Sequence, residues 1–192
     1  MATLSLRSSR PSALDRLRGD QASLALQVAG VVSFALLAAL GAQLRIYLWE
    51  VPITLQTLAV YGSGLVLGRR NGLLAMALYL GLGLVLPVFA GDGYGPAYFL
   101  GLTGGYLLGY PLAAWTIGTL SARWNSLLGS FLAVMAGSVV LFTCGVVWLH
   151  FAAGHATWTE SIVNGWLKFV VWDLTKVALV ATVYTGARRL LR

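Results

Sequence analysis

The sequence predicts an all-α integral membrane protein, a bundle of six transmembrane helices with both termini in the cytoplasm. Three observations predict it. First, the 192 residues are 58% apolar and only 10% charged, with a mean hydropathy of +0.80, far outside the balance of a soluble domain. Second, the charges divide the chain into runs free of Asp, Glu, Lys and Arg at 21–44, 51–68, 71–91, 93–122 and 124–159, followed by a partly charged run at 161–187. A helix needs about 20 apolar residues to cross a hydrocarbon core of about 30 Å, so each run holds one span, and the longer ones also hold loop. Third, the basic residues alternate sides. Arg7, Arg10, Arg16 and Arg18 precede the first helix, Arg69 and Arg70 follow the second, Arg123 follows the fourth, and Arg188, Arg189 and Arg192 follow the sixth. The opposite loops carry Arg45, Glu50, Asp92, His150, His155 and Glu160, so the positive-inside rule sets the termini in the cytoplasm of a multi-pass protein of the cell membrane.

The net charge of +7 is therefore topological and implies the lipid bilayer, not a nucleic acid, as partner. Residues 1–20 are polar and too weakly apolar for a signal-peptide core; they read as a short, mobile cytoplasmic lead before a single transmembrane domain over 21–192. Helix one, near 23–44, repeats small residues four apart at Ala25/Ala29, Ala35/Ala39 and Ala38/Ala42. That spacing admits a second helix at close range, either from another subunit or from this chain. Pro52 biases Val51 away from helix in the next connection. Gln56, which can donate and accept hydrogen bonds, then opens helix two; it serves a ligand or caps the loop.

Helix two, about 57–68, is short and suits a tilted or partly re-entrant segment. The turn at 69–72, Arg-Arg-Asn-Gly, returns the chain to helix three at about 73–86. The stretch 87–105 is rich in glycine and carries Tyr94, Tyr98 and Phe99, a composition suited to a folded lid over a cavity. Gly101, Gly105 and Gly109 lie four apart, so a helix four beginning by Gly101 has a flat groove for a neighbour, and Pro111 can bend it. Helix five, near 126–149, holds Cys144, the only cysteine. His150 and His155 stand five apart without a companion cysteine, which gives no metal-ligand pattern. Trp148, Trp158 and Trp166 read as interfacial anchors. No nucleophile constellation and no ATP-binding loop is present, so the sequence predicts neither an enzyme nor a cofactor, and any ATP-driven step belongs to another chain.

Residues 166–176, Trp-Leu-Lys-Phe-Val-Val-Trp-Asp-Leu-Thr-Lys, carry the strongest chemical signal. An ionised side chain at bilayer depth costs roughly 2.5–3.5 kcal/mol on insertion scales, so such residues face the bundle interior and pair or bind something polar. At 3.6 residues per turn Asp173 and Lys176 share a face, with Phe169 and Trp166 one and two turns earlier. Two readings follow: a polar ligand site, or a structural Asp–Lys pair that closes its own charges. Lys168, nearer the helix end, can snorkel to the headgroups.

Val51–Val60 (VPITLQTLAV), 84–95 (LVLPVFAGDGYG), 101–114 (GLTGGYLLGYPLAA) and 169–176 (FVVWDLTK) resemble, in that order, the BioY family of biotin-binding membrane proteins. These are the substrate-specific S components of energy-coupling factor (ECF) vitamin transporters. The resemblance implies a six-helix S component that captures biotin from outside and works with a transmembrane coupling subunit and two ATPase subunits. Ala25, Ala29, Ala35 and Ala39 look like the docking surface of such proteins. Val171-Trp172 and Gly101-Leu102 stand where the family often has Pro-Gly and Gly-Pro. Biotin offers two ureido N–H donors, a carbonyl acceptor, an apolar thiophane ring and a carboxylate. Asp173 and Lys176 match these first, then Gln56, Tyr98 and Tyr106, with Trp166 and Phe169 as wall. A carrier for another small vitamin and a purely structural membrane subunit are the alternatives.

Overall fold

Ser23 starts the first helix: its hydroxyl accepts the N–H of Leu26 at 3.3 Å. It caps α1, Leu24–Gln43, in the computed structural model, which describes residues 14, 18, 22–48, 50–124 and 126–191. Residues 1–13 of the expected lead lie outside the described residues. Arg18, however, is fastened to the bundle: its guanidinium donates to the Tyr184 hydroxyl at 2.9 Å and the Ser121 hydroxyl at 2.5 Å.

Apolar side chains cover every face of α1, yet only Ala35, Ala38, Gly41 and Ala42 are buried. These small residues let the next segment approach at backbone distance; a Cβ on Gly41 would lie 2.8 Å from the Gln56 nitrogen. The four alanines expected to form one docking surface therefore divide. Ala35 is buried and Ala39 half-buried against the chain's own core, while Ala25 and Ala29 are exposed.

The all-α expectation needs one small correction. A two-residue strand, β1 at Arg45–Ile46, pairs antiparallel with β2 at Ile53–Thr54, in the register Arg45 to Thr54 and Ile46 to Ile53.

A 28-residue helical element, α2, runs from Gln56 to Gly83 and is broken at Gly68 (φ 76°, ψ −174°). That positive φ is readily open only to glycine. A Cβ on Gly72 would lie 3.0 Å from the Ser63 carbonyl oxygen, whereas residues nine apart in an unbroken helix are separated by about 13 Å. The second arm thus folds back along the first. The reversal expected over 69–72 is made by Gly68, and 69–72 are helical.

Past Gly83 comes the stretch expected as a lid, which includes a 3-10 turn, Pro96–Leu100. Phe89 anchors it, fully buried between Tyr98 (stacked at 4.8 Å) and Tyr79 (edge-on at 5.4 Å). Helix α3, Gly104–Ser121, starts three residues later than Gly101, so the glycine groove reduces to Gly105 and Gly109. The groove is filled from within: Cβ atoms at those positions would meet Trp148 and Cys144 of α4, Leu127–Ala152. Pro111 lies inside α3.

A short α5, Trp158–Gly165, leads through a 3-10 turn, Leu167–Phe169, into α6, Val170–Leu190. Trp166 has φ −136° and ψ −59°, outside the helical region. The continuous helical face expected from Trp166 to Lys176 is consequently interrupted before Val170.

Among the described residues two helices, α1 and α4, are long and apolar enough by length and composition to cross a membrane, with mean hydropathies of 2.1 and 2.2. The core holds Tyr61, Tyr79, Leu65, Met76 and Ile117 on α2 and α3. Outward-facing Leu36, Leu40, Leu112, Leu132, Val171 and Val183 are exposed. Apolar on both inside and outside, such helices suit a lipid surround.

Candidate ligand-binding site

At one end of the bundle the hairpin, the start of α2, the lid, the start of α3 and the start of α6 surround a cavity. Its wall includes Thr54, Gln56, Tyr98, Tyr106, Phe169, Asp173 and Lys176. The free space inside is narrow, about 60 Å³, below the roughly 300–1,000 Å³ of common small-molecule sites. A ligand of vitamin size must displace side chains. Trp172, which lines the cavity and is 49% exposed, is the freest of them.

Asp173 is buried on α6 and accepts from the Tyr61 hydroxyl of α2 at 2.5 Å and from the Ser138 hydroxyl of α4. Lys176, one turn on and half-buried, donates to the Thr54 carbonyl at 2.6 Å and to the Thr57 hydroxyl at 3.1 Å. Among the described residues the two charges form no ion pair with each other. Each charge takes its hydrogen bonds from other segments and not from the other charge. Each charge is stabilised by dipoles from other segments, which satisfies a buried ion only when such partners exist. A carboxylate offers about four lone-pair sites and an ammonium three donors. Both groups therefore keep unused capacity beside the cavity.

Gln56 is buried, and its amide accepts from Thr54 Oγ1 at 2.8 Å and donates to the Tyr79 hydroxyl at 2.6 Å. Tyr79 in turn donates to the Val88 carbonyl at 3.2 Å. Gln56 thereby ties hairpin to lid while also lining the cavity.

The aromatic wall has two layers. Phe169 lines the cavity, and Phe142 of α4 lies beside it at 6.2 Å. Trp166 stacks parallel on Phe142 at 5.7 Å and is not among the lining residues, so it backs the wall instead of forming it. Its displacement follows from the helix interruption before Val170. Tyr106 presents its ring edge-on to Phe142 and donates to the Gly165 carbonyl at 2.7 Å. Tyr98 donates to the Ala90 carbonyl at 3.0 Å; burial raises its phenol above the ordinary value, keeping it a neutral donor.

Residues the sequence did not single out complete the site. Thr54, Thr57, Tyr110, Leu141 and Phe142 line the cavity, and Tyr61 and Ser138 hold the acid. At the rim, His155 Nε2 meets the exposed Glu50 carboxylate at 3.1 Å. Both His155 Nδ1 and His150 Nδ1 share the Ser161 hydroxyl, at 3.0 and 2.9 Å.

The fold and the cavity define the class: a membrane-embedded helical protein with the fold of an ECF S component. The solved crystal structure of an S-component for biotin from an ECF-type ABC transporter superposes with a TM-score of 0.78 at 24% identity, covering 85% of this chain and 90% of that one. A family model described as the BioY family matches residues 14–192. The "Biotin transporter BioY" of Thermotoga maritima is 36% identical over 158 residues, 82% of this chain and 92% of that protein. The "Probable biotin transporter BioY" of Pyrococcus horikoshii is 34% identical over 160 residues, 83% and 94% of the two chains. The chain belongs to the BioY family.

Proposed function

We propose that this protein binds biotin in the cavity and carries it across the cytoplasmic membrane as the substrate-binding S component of an ECF transporter. The observation that carries the reading is the separate anchoring of Asp173 and Lys176, which leaves an anionic acceptor and a cationic donor facing one aromatic cavity. Asp173 accepts from a ureido N–H, a charge-assisted bond. Lys176 meets the ureido carbonyl or the valerate carboxylate, and Phe169, Phe142 and Tyr110 cover the apolar rings. Tyr98 and Tyr106 close the site from the lid and from α3, and Gln56 contributes the amide capacity it does not spend on Thr54 and Tyr79.

In this reading α1, the two arms of α2, α3, α4 and α6 are six membrane crossings. Both termini are cytoplasmic, and the cavity opens outward. A transmembrane coupling subunit and two ATPases drive transport, with the exposed Ala25–Ala29 face of α1 available for docking. The arginine distribution supports this orientation.

The test is calorimetric titration of the detergent-purified chain with biotin and a panel of other vitamins. Saturable binding of biotin in preference to the panel is expected. A folded protein that ignores biotin at micromolar levels rejects the proposal, and preference for another vitamin reassigns the cargo.

A further inference from the structure

Ser161 of α5 has no exposed surface, and its hydroxyl is shared by two imidazoles, His150 Nδ1 of α4 at 2.9 Å and His155 Nδ1 of the following loop at 3.0 Å. One hydroxyl proton cannot serve both rings. At least one of the two nitrogens therefore carries a proton and donates to Ser161 Oγ. His155 Nε2 lies 3.1 Å from the Glu50 carboxylate, which when ionised only accepts. This nitrogen must carry a proton as well.

Those demands fix the arrangement with neutral rings. His155 Nε2–H donates to Glu50, Ser161 donates to His155 Nδ1, and His150 Nδ1–H donates to Ser161 Oγ. A second arrangement fits the same heavy atoms. With a further proton on Nδ1, the His155 imidazolium donates to both Glu50 and Ser161, and the serine proton turns to the Thr157 carbonyl at 3.4 Å. Only this second arrangement joins opposite charges across the rim.

The position of the cluster gives it a consequence. Glu50 stands in the connection between β1 and β2, directly before Val51, Pro52, Ile53 and Thr54, which line the cavity. The His155 side chain is 5% exposed, so water screens the pair from the Glu50 side only. Two further titratable groups face the cluster. Glu160 of α5 accepts the Ala156 N–H at 3.2 Å, and Tyr106 of α3, on which the Glu50 charge acts, donates to the Gly165 carbonyl. Trp158 lies flat against the His150 ring at 3.9 Å.

We propose that Glu50, His155 and Ser161 form a proton-operated latch that holds the β1–β2 connection over the cavity more tightly as pH falls from about 8 to about 5, the range in which imidazole gains its charge. The added tightness is complete in acid and is lost as pH rises through the titration of the ring. The latch is independent of which solute the cavity carries.

Hydrogen–deuterium exchange of the full chain in detergent, without solute, tests it at about pH 5.5 and about pH 8, after correction for the pH dependence of chemical exchange. Peptides carrying Val51, Ile53 and Thr54 are expected to open about threefold less at the lower pH, the scale of a partly exposed ion pair, while peptides from the middle of α4 stay unchanged. Glu50→Gln, at a side chain 42% exposed, keeps the shape and removes the charge, and His155→Gln removes the titrating ring. Each should abolish the pH difference. His150→Gln should retain it, because His150 donates to Ser161 in both arrangements. Should His155→Gln fold poorly, Glu50→Gln decides. Equal opening of the unaltered chain at the two pH values, or a pH difference that survives in folded Glu50→Gln or His155→Gln, overturns the proposal. A change of equal size in the α4 peptides, or loss of the difference in folded His150→Gln, overturns it as well.

Discussion

The two ends of the bundle solve the problem of charge in a membrane in opposite ways. At the end with the candidate ligand cavity Asp173 and Lys176 each make two hydrogen bonds with the chain itself, around a space of only about 60 Å³. At the arginine end four cations, Arg18, Arg69, Arg123 and Arg188, ring about 460 Å³. Deep charges need partners fixed in the protein because neither water nor ions reach them cheaply. At the arginine end Arg18 too is fastened by the chain, to Ser121 and Tyr184, but around an open space. The lesson is that the same element, α2 or α6, carries a precise polar site at one end and a field at the other.

Substitutions can break that contrast, and the largest effect is expected at Asp173. Asp173→Ala leaves the Tyr61 and Ser138 hydroxyls without their acceptor, at about 1–3 kcal/mol each. Biotin affinity should fall at least about tenfold by calorimetry, with a lower unfolding midpoint; Asp173→Asn keeps the shape and should still lose more than about 1 kcal/mol of binding. Unchanged affinity in a folded Asp173→Asn protein removes the acid from the site.

Packing comes next. Gly105→Val drives a side chain into Trp148, and overpacking of this kind costs about 1–3 kcal/mol, measurable as a lower midpoint in thermal unfolding. Lys176→Met removes the bonds to Thr54 and Thr57 and should weaken biotin by about tenfold, in line with loss of a charged hydrogen bond of about 1.5–3 kcal/mol.

Two pairings sharpen the picture further. Phe142→Ala should reduce affinity more than Trp166→Ala, because only Phe142 lines the cavity; the reverse order would return Trp166 to the wall. Arg69→Gln should leave biotin affinity within about twofold, since exposed charges separated by more than a Debye length of about 10 Å are largely screened.

Part of the candidate cavity's lining was legible in the residues because charge in an apolar helix is a rare event with a clear cost. Asp173 and Lys176 stood out for that reason, and the wall at Phe169 followed from helical spacing. Trp166 did not fit, because a periodicity argument assumes an unbroken helix and the chain leaves helical geometry at that residue. The Lys176 acceptor is a backbone carbonyl 122 positions away, and no sequence pattern marks such an atom. Tyr61 and Ser138 resemble many other buried polar residues until the fold brings them to the acid. In α1 the four-residue spacing identified close packing correctly in kind, but spacing cannot separate a face used internally at Ala35 from one left open at Ala25. The reversal between the arms of α2 was expected from Arg-Arg-Asn-Gly, and a single glycine performs it because its φ is permitted there.

The short segment between Glu50 and Thr54 is clamped at both banks. Glu50 is bonded to His155 at the rim, and the Thr54 carbonyl to Lys176 at the floor. Any outward swing of this bridge must sever both fastenings. The 3-10 turn opposite, Pro96–Leu100, has no buried residue of its own. That turn is fastened nonetheless, by Tyr98 on the Ala90 carbonyl and against the buried Phe89 ring, so both banks of the mouth are held by the chain itself.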